Sequence, residues 1–319
     1  MRLDDSEQSN NIEDRRGESG GGGGGGFGLP IGGGGLGIGT ILVLGIVGWA
    51  LGIDPRLLIG GAEILSGGGG GTQVQQPTQL PSGTQARRTG APSDDIGRFV
   101  ATVLGNIEAE WRNIFQQGNQ PYRDPVLVLY TGQTRAACGG EAQSAMGPFY
   151  CPTDEKIYLD TAFFKDIETR FNGCDVGSRS CQFTQAYVIA HEFGHHVQKL
   201  LNTLPKIQQA QQGMDRTGAN RLQVQVELQA DCYAGIWANH ENARLQNAGK
   251  PALVEPGDIE AALRTAAAIG DDTLQRKATG RVVPDSFTHG SAEQRQRWFT
   301  TGYREGSVAS CNTFRAADL

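Results

Sequence analysis

Apolar residues recur at intervals of three and four in several segments of the chain after residue 98, a spacing typical of amphipathic helices. The clearest stripe begins at Phe99 and ends at Phe115. Ser291 opens a capping-box sequence, Ser-Ala-Glu-Gln, at the start of the last helix. Helices are predicted over residues 99–115, 182–201, 220–242, 258–269 and 291–303.

Short apolar runs between the first two predicted helices have the composition of β-strands. They cover residues 125–130, 147–151 and 156–160, and the last two flank a turn at 152–155. Strands early and helices later predict an α+β domain.

The front of the chain differs in composition from the rest. Residues 1–35 are polar and then glycine-rich, which predicts a disordered tail because little apolar surface is available for burial. Residues 36–53 carry no charge and would form a helix of about 27 Å, long enough for a transmembrane span. Residues 54–92 have the composition of a flexible linker, so the folded domain is predicted over 93–319. A cleavable signal peptide and a buried helix fit residues 36–53 less well.

The arginines around residues 36–53 are distributed unevenly. Arg2, Arg15 and Arg16 precede the span and only Arg56 follows it closely. This bias favours a single-pass membrane protein with a cytoplasmic amino terminus and an exported carboxy-terminal domain.

Charge and cysteine content restrict the function classes. The net charge of −6 comes without a Lys/Arg block, so nucleic-acid binding is not expected. None of the six cysteines forms a Cys-x-x-Cys pair, which argues against a cysteine zinc site. Disulfides suit an exported domain, and buried free thiols are the alternative. If disulfides form, the expected pairs are Cys138–Cys151, Cys174–Cys181 and Cys232–Cys311.

The helix predicted over residues 182–201 contains the pattern His-Glu-x-x-His. Because residues four apart share a helix face, His191 and His195 can direct their imidazoles at one zinc ion. Glu192 lies beside that point, where a general base could take a proton from water. The alternative is an accidental spacing of two histidines.

Two residues of the next helix are candidates to complete the site. A third histidine ligand in the spacing His-x-x-Gly-x-x-His is excluded, because Gln198 and Leu201 occupy the required positions. Glu227 and Asp231 share one helix face, which predicts a carboxylate ligand and an acceptor for a zinc histidine. A solvated Glu/Asp pair is the alternative, but the surrounding residues are apolar or small.

The remaining histidines differ in their expected roles. His289 could donate to the oxyanion of a tetrahedral intermediate, or be an ordinary loop residue. Arg295 could support the site or be solvated. His196 points away from His195 and is expected in packing, and His240 is expected at the surface or as a helix cap.

Taken together, four segments of the chain resemble the bacterial neutral zinc metallopeptidase family. They are residues 147–152, 191–198, 227–232 and 287–290. The resemblance implies a gluzincin-type zincin domain with a small sheet and two zinc-bearing helices, and one Zn²⁺. The arrangement of His289 and Arg295 is also similar to that in membrane-embedded zinc peptidases of the prenyl-protein-processing type, although Gly290 replaces their usual proline.

The expected function is that of a membrane-anchored zinc endopeptidase. Its partners would be a peptide substrate and a lipid bilayer, and its location the bacterial inner membrane. The segment with Gly147, Phe149 and Tyr150 is expected to pair with the extended substrate. The alternatives are a zinc-binding structural or chaperone-like module, an anchored adaptor without metal and a non-peptide amidase.

Overall fold

The structure is a computed structural model that describes residues 6–18, 88–138, 140–143, 147–169, 179–255, 257–268, 270–273, 275 and 281–315. All of these residues except Glu18 belong to one compact unit. The residues predicted as a transmembrane helix, 36–53, lie outside the described ranges. In the described part of the chain, no helix combines the length and apolar character needed to cross a bilayer.

A mixed five-stranded sheet forms one layer of the unit, in the order β2-β1-β3-β7-β6. Strands β1, β3 and β7 are parallel to one another, and the two edge strands β2 and β6 run antiparallel to their neighbours. The strands are β1 Ile12–Asp14, β2 Arg88–Thr89, β3 Val126–Tyr130, β6 Phe149–Cys151 and β7 Lys156–Asp160. A separate hairpin joins β4 Gln133–Ala136 to β5 Gly140–Gln143.

The prediction of a disordered tail is wrong for residues 6–18. Ile12 is paired with Leu127 of β3 and is buried in the core. Upstream, the hydroxyl of Ser9 donates to the buried carboxylate of Glu108 at 2.9 Å. The polar residues of this segment therefore find partners inside the domain, which a composition-based argument for disorder does not consider.

The predicted boundary between the linker and the folded domain, at residue 93, is also corrected. Arg88 and Thr89 form β2, which pairs with Asp14 and Glu13 of β1. The domain therefore includes residues 6–17 as well as residues from 88 onwards.

This pairing also bears on the membrane topology predicted from the sequence. A single span at 36–53 would place residues 6–18 and 88–315 on opposite faces of a membrane. In the structure, strands β1 and β2, which lie on either side of residues 36–53 in the chain, are paired in the same sheet.

The long helices confirm the sequence predictions, with ends that shift by a few residues. They pack around an apolar core shared with the sheet. The helices are α1 Asp95–Gln117, α2 Ala162–Thr169, α3 Arg179–Leu200, α4 Thr203–Gln211, α5 Arg216–Asn247, α6 Asp258–Ala268 and α7 Ala292–Glu305. Helix α7 begins with the predicted capping box at Ser291 and Gln294. Helices α2 and α4, like the hairpin β4–β5, are not among the predicted elements.

Glycines let the three helices around the site approach closely. A Cβ at Gly194 of α3 would lie 3.0 Å from the Cα of Ala230 in α5. A Cβ at Gly302 of α7 would lie 1.9 Å from the carbonyl oxygen of Cys232, again in α5. Helix α5 therefore contacts both neighbours almost backbone to backbone.

Two of the predicted disulfides are confirmed. Cys138 is bonded to Cys151, and Cys232 of α5 is bonded to Cys311. The second of these bonds joins the segment that follows α7 to helix α5. The third predicted pair includes Cys174, which lies outside the described residues.

Candidate metal centre

Helix α3 carries the His-Glu-x-x-His pattern in the interior of the domain. His191 and His195 project from one face, as their spacing requires, and their ring centroids are 5.0 Å apart. His191 and Glu192 are buried, and His195 is only slightly exposed. The helix thus presents two imidazoles and a carboxyl group with little access to water.

Helix α5 supplies the third group of the centre. Glu227 Oε2 lies 3.2 Å from His191 Nε2 and 3.6 Å from His195 Nε2. One atom from each of the three side chains lies within 4.8 Å of the other two, so a single metal ion could contact all three. The close contact between Gly194 and Ala230 allows this distance, because Ala230 lies one turn after Glu227.

Asp231 holds His191 from the side opposite Glu227. Its Oδ1 lies 2.8 Å from His191 Nδ1 and also accepts a hydrogen bond from the Tyr187 hydroxyl at 2.5 Å. Arg295 of α7 donates to both carboxylate oxygens, at 2.8 Å from Nε and 2.9 Å from Nη2. All four side chains are buried, so Arg295 neutralises a carboxylate that would otherwise be costly to bury.

A chain of amides holds His195 in the same way. Its Nδ1 lies 2.8 Å from the side-chain oxygen of Gln198, whose amide donates to Gln229. Gln229 in turn donates to the carbonyl of Cys311, beside the disulfide to Cys232. Both histidines therefore engage Nδ1 with the protein and direct Nε2 towards Glu227.

The charges at the centre favour a cation. Burial lowers the pKa of His191, but the charge of Asp231 and the hydrogen bonds to Asp231 and Glu227 outweigh it and raise the pKa to about 10. Burial raises the pKa of Glu227, but the imidazoles of His195 and His191 hold it well below its usual range. The field that retains a proton on the imidazoles would also retain a divalent ion.

Glu192 is the carboxyl group of the centre without a fixed cationic partner in the described residues. Burial raises its pKa above the usual range, and the neighbouring charge of Glu227 acts in the same direction. The nearby histidines oppose the shift. A carboxyl group with a raised pKa beside a metal site can accept a proton and return it.

His289 lies at the margin of the centre, in the loop before α7. Its side chain is 54% exposed, and its Nδ1 lies 3.0 Å from Thr288 Oγ1 and 3.4 Å from Asp271 Oδ1. Partial loss of hydration where the ring meets the protein lowers the pKa of His289, but the hydrogen bond to Asp271 and the charge of Glu227 raise it overall. His289 is therefore close enough to Glu227 for the two charges to influence each other.

Asp271 and Tyr187 are contacts of the centre that the sequence analysis did not identify. Asp271 follows α6 and lies outside all the sequence motifs. Only the fold brings it next to His289. Tyr187 lies one helical turn before His191, so the helix periodicity alone could have placed it on the same face.

The predicted substrate segment lies at an edge of the sheet but only part of it faces outwards. Tyr150 is buried, with its hydroxyl 3.1 Å from Nδ1 of His196, and His196 Nε2 lies 2.8 Å from the carbonyl of Arg123. Phe149 is stacked on Tyr158. Gly147 has a φ of +72°. The hydrogen bond between Tyr150 and His196 joins the edge strand β6 to α3, so His196 has the packing role expected from its position.

His240 has a capping role, but it caps the end of α7 and not, as the sequence predicted, the end of its own helix. Its Nε2 lies 2.7 Å from the carbonyl of Gly306, which follows the last residue of α7. It is remote from the centre in the chain and takes no part in the contacts described above.

The donor set fits zinc. Two imidazole nitrogens and one carboxylate oxygen form the three-ligand set of catalytic zinc sites, with a fourth position left for water. Each histidine also has the acceptor at Nδ1 that zinc histidines almost always have. The candidate ligands are therefore His191, His195 and Glu227.

The family comparison agrees with this centre. A family model described as "Putative neutral zinc metallopeptidase" matches residues 1–314. The chain belongs to this zinc metallopeptidase family.

Its relatives are similar to this chain in sequence over most of their length. An uncharacterized protein of Escherichia coli (strain K12), YpfJ, is 43% identical over 315 residues, which cover 98% of this chain and 99% of the relative. An uncharacterized protein of Mycobacterium tuberculosis (strain ATCC 25618 / H37Rv), Rv2575, is 45% identical over 239 residues, or 73% of this chain and 75% of the relative. No solved structure matches the chain significantly.

Proposed function

We propose that the protein is a zinc-dependent endopeptidase. The observation that carries the proposal is the convergence of His191, His195 and Glu227 on one point, with the buried carboxyl group of Glu192 beside them. Family membership supports peptide-bond hydrolysis as the reaction. A zinc ion at this centre would supply Lewis-acid chemistry, which acidifies water and polarises a carbonyl group.

Glu192 moves the proton in the proposed reaction. It takes a proton from the attacking water and delivers it to the leaving amine. Its burial, which raises its pKa, favours acceptance of the proton from water.

Other residues of the chain hold the reacting groups in place. Asp231 and Gln198 fix the rings of His191 and His195, and Arg295 balances the charge of Asp231. His289 donates to the oxyanion that develops on the scissile carbonyl. Strand β6 lies at the sheet edge next to α3, where the backbone of an extended substrate could add as a further strand.

Membrane association remains a proposal that rests on the apolar sequence of residues 36–53. It is restricted by β1, because any contact with a bilayer must leave the amino terminus and the metal centre on the same face. The bacterial inner membrane is the proposed location.

The decisive experiment compares the wild type with Glu192→Ala. Both are loaded with zinc, analysed for metal content and incubated with a peptide library whose cleavage is followed by mass spectrometry. The variant should bind one zinc per chain and lose at least about 100-fold in cleavage rate. Glu305→Ala, at the exposed end of α7, is the control and should cleave like the wild type.

Three results would contradict the proposal in different ways. Equal cleavage by Glu192→Ala removes the proposed base. Zinc binding without cleavage by the wild type favours the zinc-binding structural or chaperone-like alternative. Absence of zinc binding favours an adaptor without metal.

A further inference from the structure

Asp271 makes an unusual set of contacts for a single carboxylate. Its Oδ2 accepts hydrogen bonds from three successive backbone N–H groups, of Thr288 at 2.5 Å, His289 at 2.6 Å and Gly290 at 3.1 Å. Its own N–H donates to the carbonyl of Gly290 at 3.0 Å. Its other oxygen, Oδ1, lies 3.4 Å from His289 Nδ1. Asp271 therefore fixes both the backbone and the ring of His289.

The loop that Asp271 holds is pressed against the helix that carries Glu227. A Cβ at Gly290 would lie 3.1 Å from the side chain of Leu228 and 3.4 Å from that of Val224. These two residues flank Glu227 along α5. Gly290 has a φ of +89°, which a proline cannot adopt, so this chain needs glycine where the resembling peptidases have proline.

The ring of His289 is oriented by one edge only. Nδ1 faces Asp271 and Thr288, and Nε2 makes no hydrogen bond within the described part of the chain. A carboxylate can only accept, so it selects the form of the ring that carries hydrogen on Nδ1. With the ring protonated on both nitrogens, Nε2 is left as a donor on the exposed side.

We propose that Asp271 is a positioning residue that fixes the ring of His289 at the margin of the zinc centre and keeps hydrogen on its Nδ1. This rests on the proposed endopeptidase function for its catalytic consequence. The contact between Asp271 and His289 is a property of the fold and can be tested without turnover.

The test uses the full-length, zinc-loaded chain and the variant Asp271→Asn. An asparagine side-chain oxygen can still accept from the loop N–H groups, but its amide would face His289 Nδ1 as a donor. Nitrogen-15 NMR of labelled histidine should show hydrogen on both ring nitrogens of His289 in the wild type, and loss of the hydrogen on Nδ1 in the variant. Zinc content should be unchanged.

The kinetic readout separates positioning from general structural damage. Asp271→Asn should lower kcat by about 10- to 100-fold with KM within about twofold, as expected for a contact that matters mainly in the transition state. In a His289→Ala background the same substitution should cost less than about twofold. Asp272→Asn is the matched control, because its carboxylate accepts from Ala292 N–H at the start of α7 and does not contact His289.

The spectroscopic and kinetic measurements can each overturn the positioning role. An unchanged nitrogen-15 spectrum of His289 in Asp271→Asn would do so. A loss of kcat on Asp271→Asn that is as large in the His289→Ala background as in the wild type would also do so. If the wild-type chain cleaves no peptide, the endopeptidase proposal fails, and the NMR comparison still decides whether Asp271 orients the ring.

Discussion

Asp231 contacts three side chains from two helices, and each contact serves the metal centre differently. His191 is oriented by it, Arg295 neutralises it and Tyr187 donates a short hydrogen bond to it. Its side chain has no exposed surface, so none of these partners can be replaced by water. A change here should therefore affect both metal affinity and folding.

Asp231→Asn should weaken zinc binding by about 10- to 100-fold, since the acceptor behind a zinc histidine contributes that much. The free energy of unfolding should also fall by about 3–5 kcal/mol, because Arg295 keeps its charge without a buried partner. Chelator competition and urea unfolding measure the two effects. Tyr187→Phe removes one hydrogen bond and no charge, and an equal loss in that variant would contradict this explanation.

Glu108 of α1 is a buried carboxyl group remote from the metal centre in the chain. It accepts hydrogen bonds from Ser9 and Asn11, the residues that lead into β1. Burial raises its pKa from 4.5 to about 7, against the opposing effect of the Asn11 hydrogen bond. The folded state therefore binds this proton more tightly than the unfolded state.

The stability that Glu108 contributes is present below pH 4.5 and is lost as the pH rises through about 7. Glu108→Gln keeps the acceptor oxygen and removes the titration. Its free energy of unfolding relative to the wild type should rise by up to about 3 kcal/mol between pH 4.5 and pH 8. Urea unfolding across this range measures it, and a difference between the two chains that stays constant with pH would contradict the assigned titration of Glu108.

The functional residues differ in how far sequence could reveal them. His191, Glu192 and His195 follow from a local pattern, since helix geometry alone brings them together. Glu227 and Asp231 needed an argument about an apolar helix face, and the structure places both at the centre. Asp271 has no local signal, because its importance comes from three N–H groups in a loop that follows much later in the chain.

At the scale of elements, the position of Arg295 depends on how closely α7 approaches α5. Gly302 faces the carbonyl oxygen of Cys232, and Gly235 faces that of Phe299, with space for neither Cβ. The obstacle in each case is backbone, which cannot move aside as a side chain could. The close crossing of α5 and α7 therefore requires glycine, which has no Cβ, at both positions.

Gly302→Ala should destabilise the domain by about 3 kcal/mol or more, since overpacking against backbone forces the helices apart. Zinc affinity should fall with it as Arg295 moves away from Asp231. Thermal unfolding and chelator competition measure both. Gly213→Ala is the control, because nothing lies within 4 Å of its Cβ position. An unaffected Gly302→Ala variant would contradict the assigned crossing.

Sequence periodicity predicts the long helices and the three strands β3, β6 and β7, but not the way they assemble. It misses β1 and β2, because each is too short and too polar to show alternation. Glu13 and Arg15 are buried as an ion pair, so burial here follows pairing and not apolar composition.

For the whole molecule, β1 makes the amino terminus part of the folded domain. A fragment of residues 93–319 lacks β1 and β2 and should be poorly folded. A chain in which residues 19–87 are replaced by a flexible linker of about eight residues should fold, because Asp14 and Arg88 are paired neighbours.

Circular dichroism, unfolding by urea and zinc content distinguish the two chains. The shortened chain should unfold cooperatively and bind zinc, whereas 93–319 should do neither well. Ile12→Asp in the shortened chain should reproduce the behaviour of 93–319, since it places a charge in the core. Equal stability of both chains would show that β1 is dispensable.

The pairing of β1 with β2 and β3 also predicts that both ends of the chain lie on the same face of a membrane in cells. Epitope tags placed at the amino and carboxy termini of full-length chains should show the same protease sensitivity in bacterial spheroplasts. A known inner-membrane protein with ends on opposite faces is the control. Opposite sensitivity of the two tags would mean that β1 does not join the sheet in the cell.

The position of β1 also has a consequence for biosynthesis. The ribosome makes this strand first, yet β3, to which it is paired in parallel, emerges only after residue 130 has been translated. Until then the two-residue strand β2 is the earlier partner that β1 can have, and the other edge of β1 stays open to capture by chaperones. A nascent chain that is released early, or clipped near its start, cannot complete the sheet that supports the metal centre.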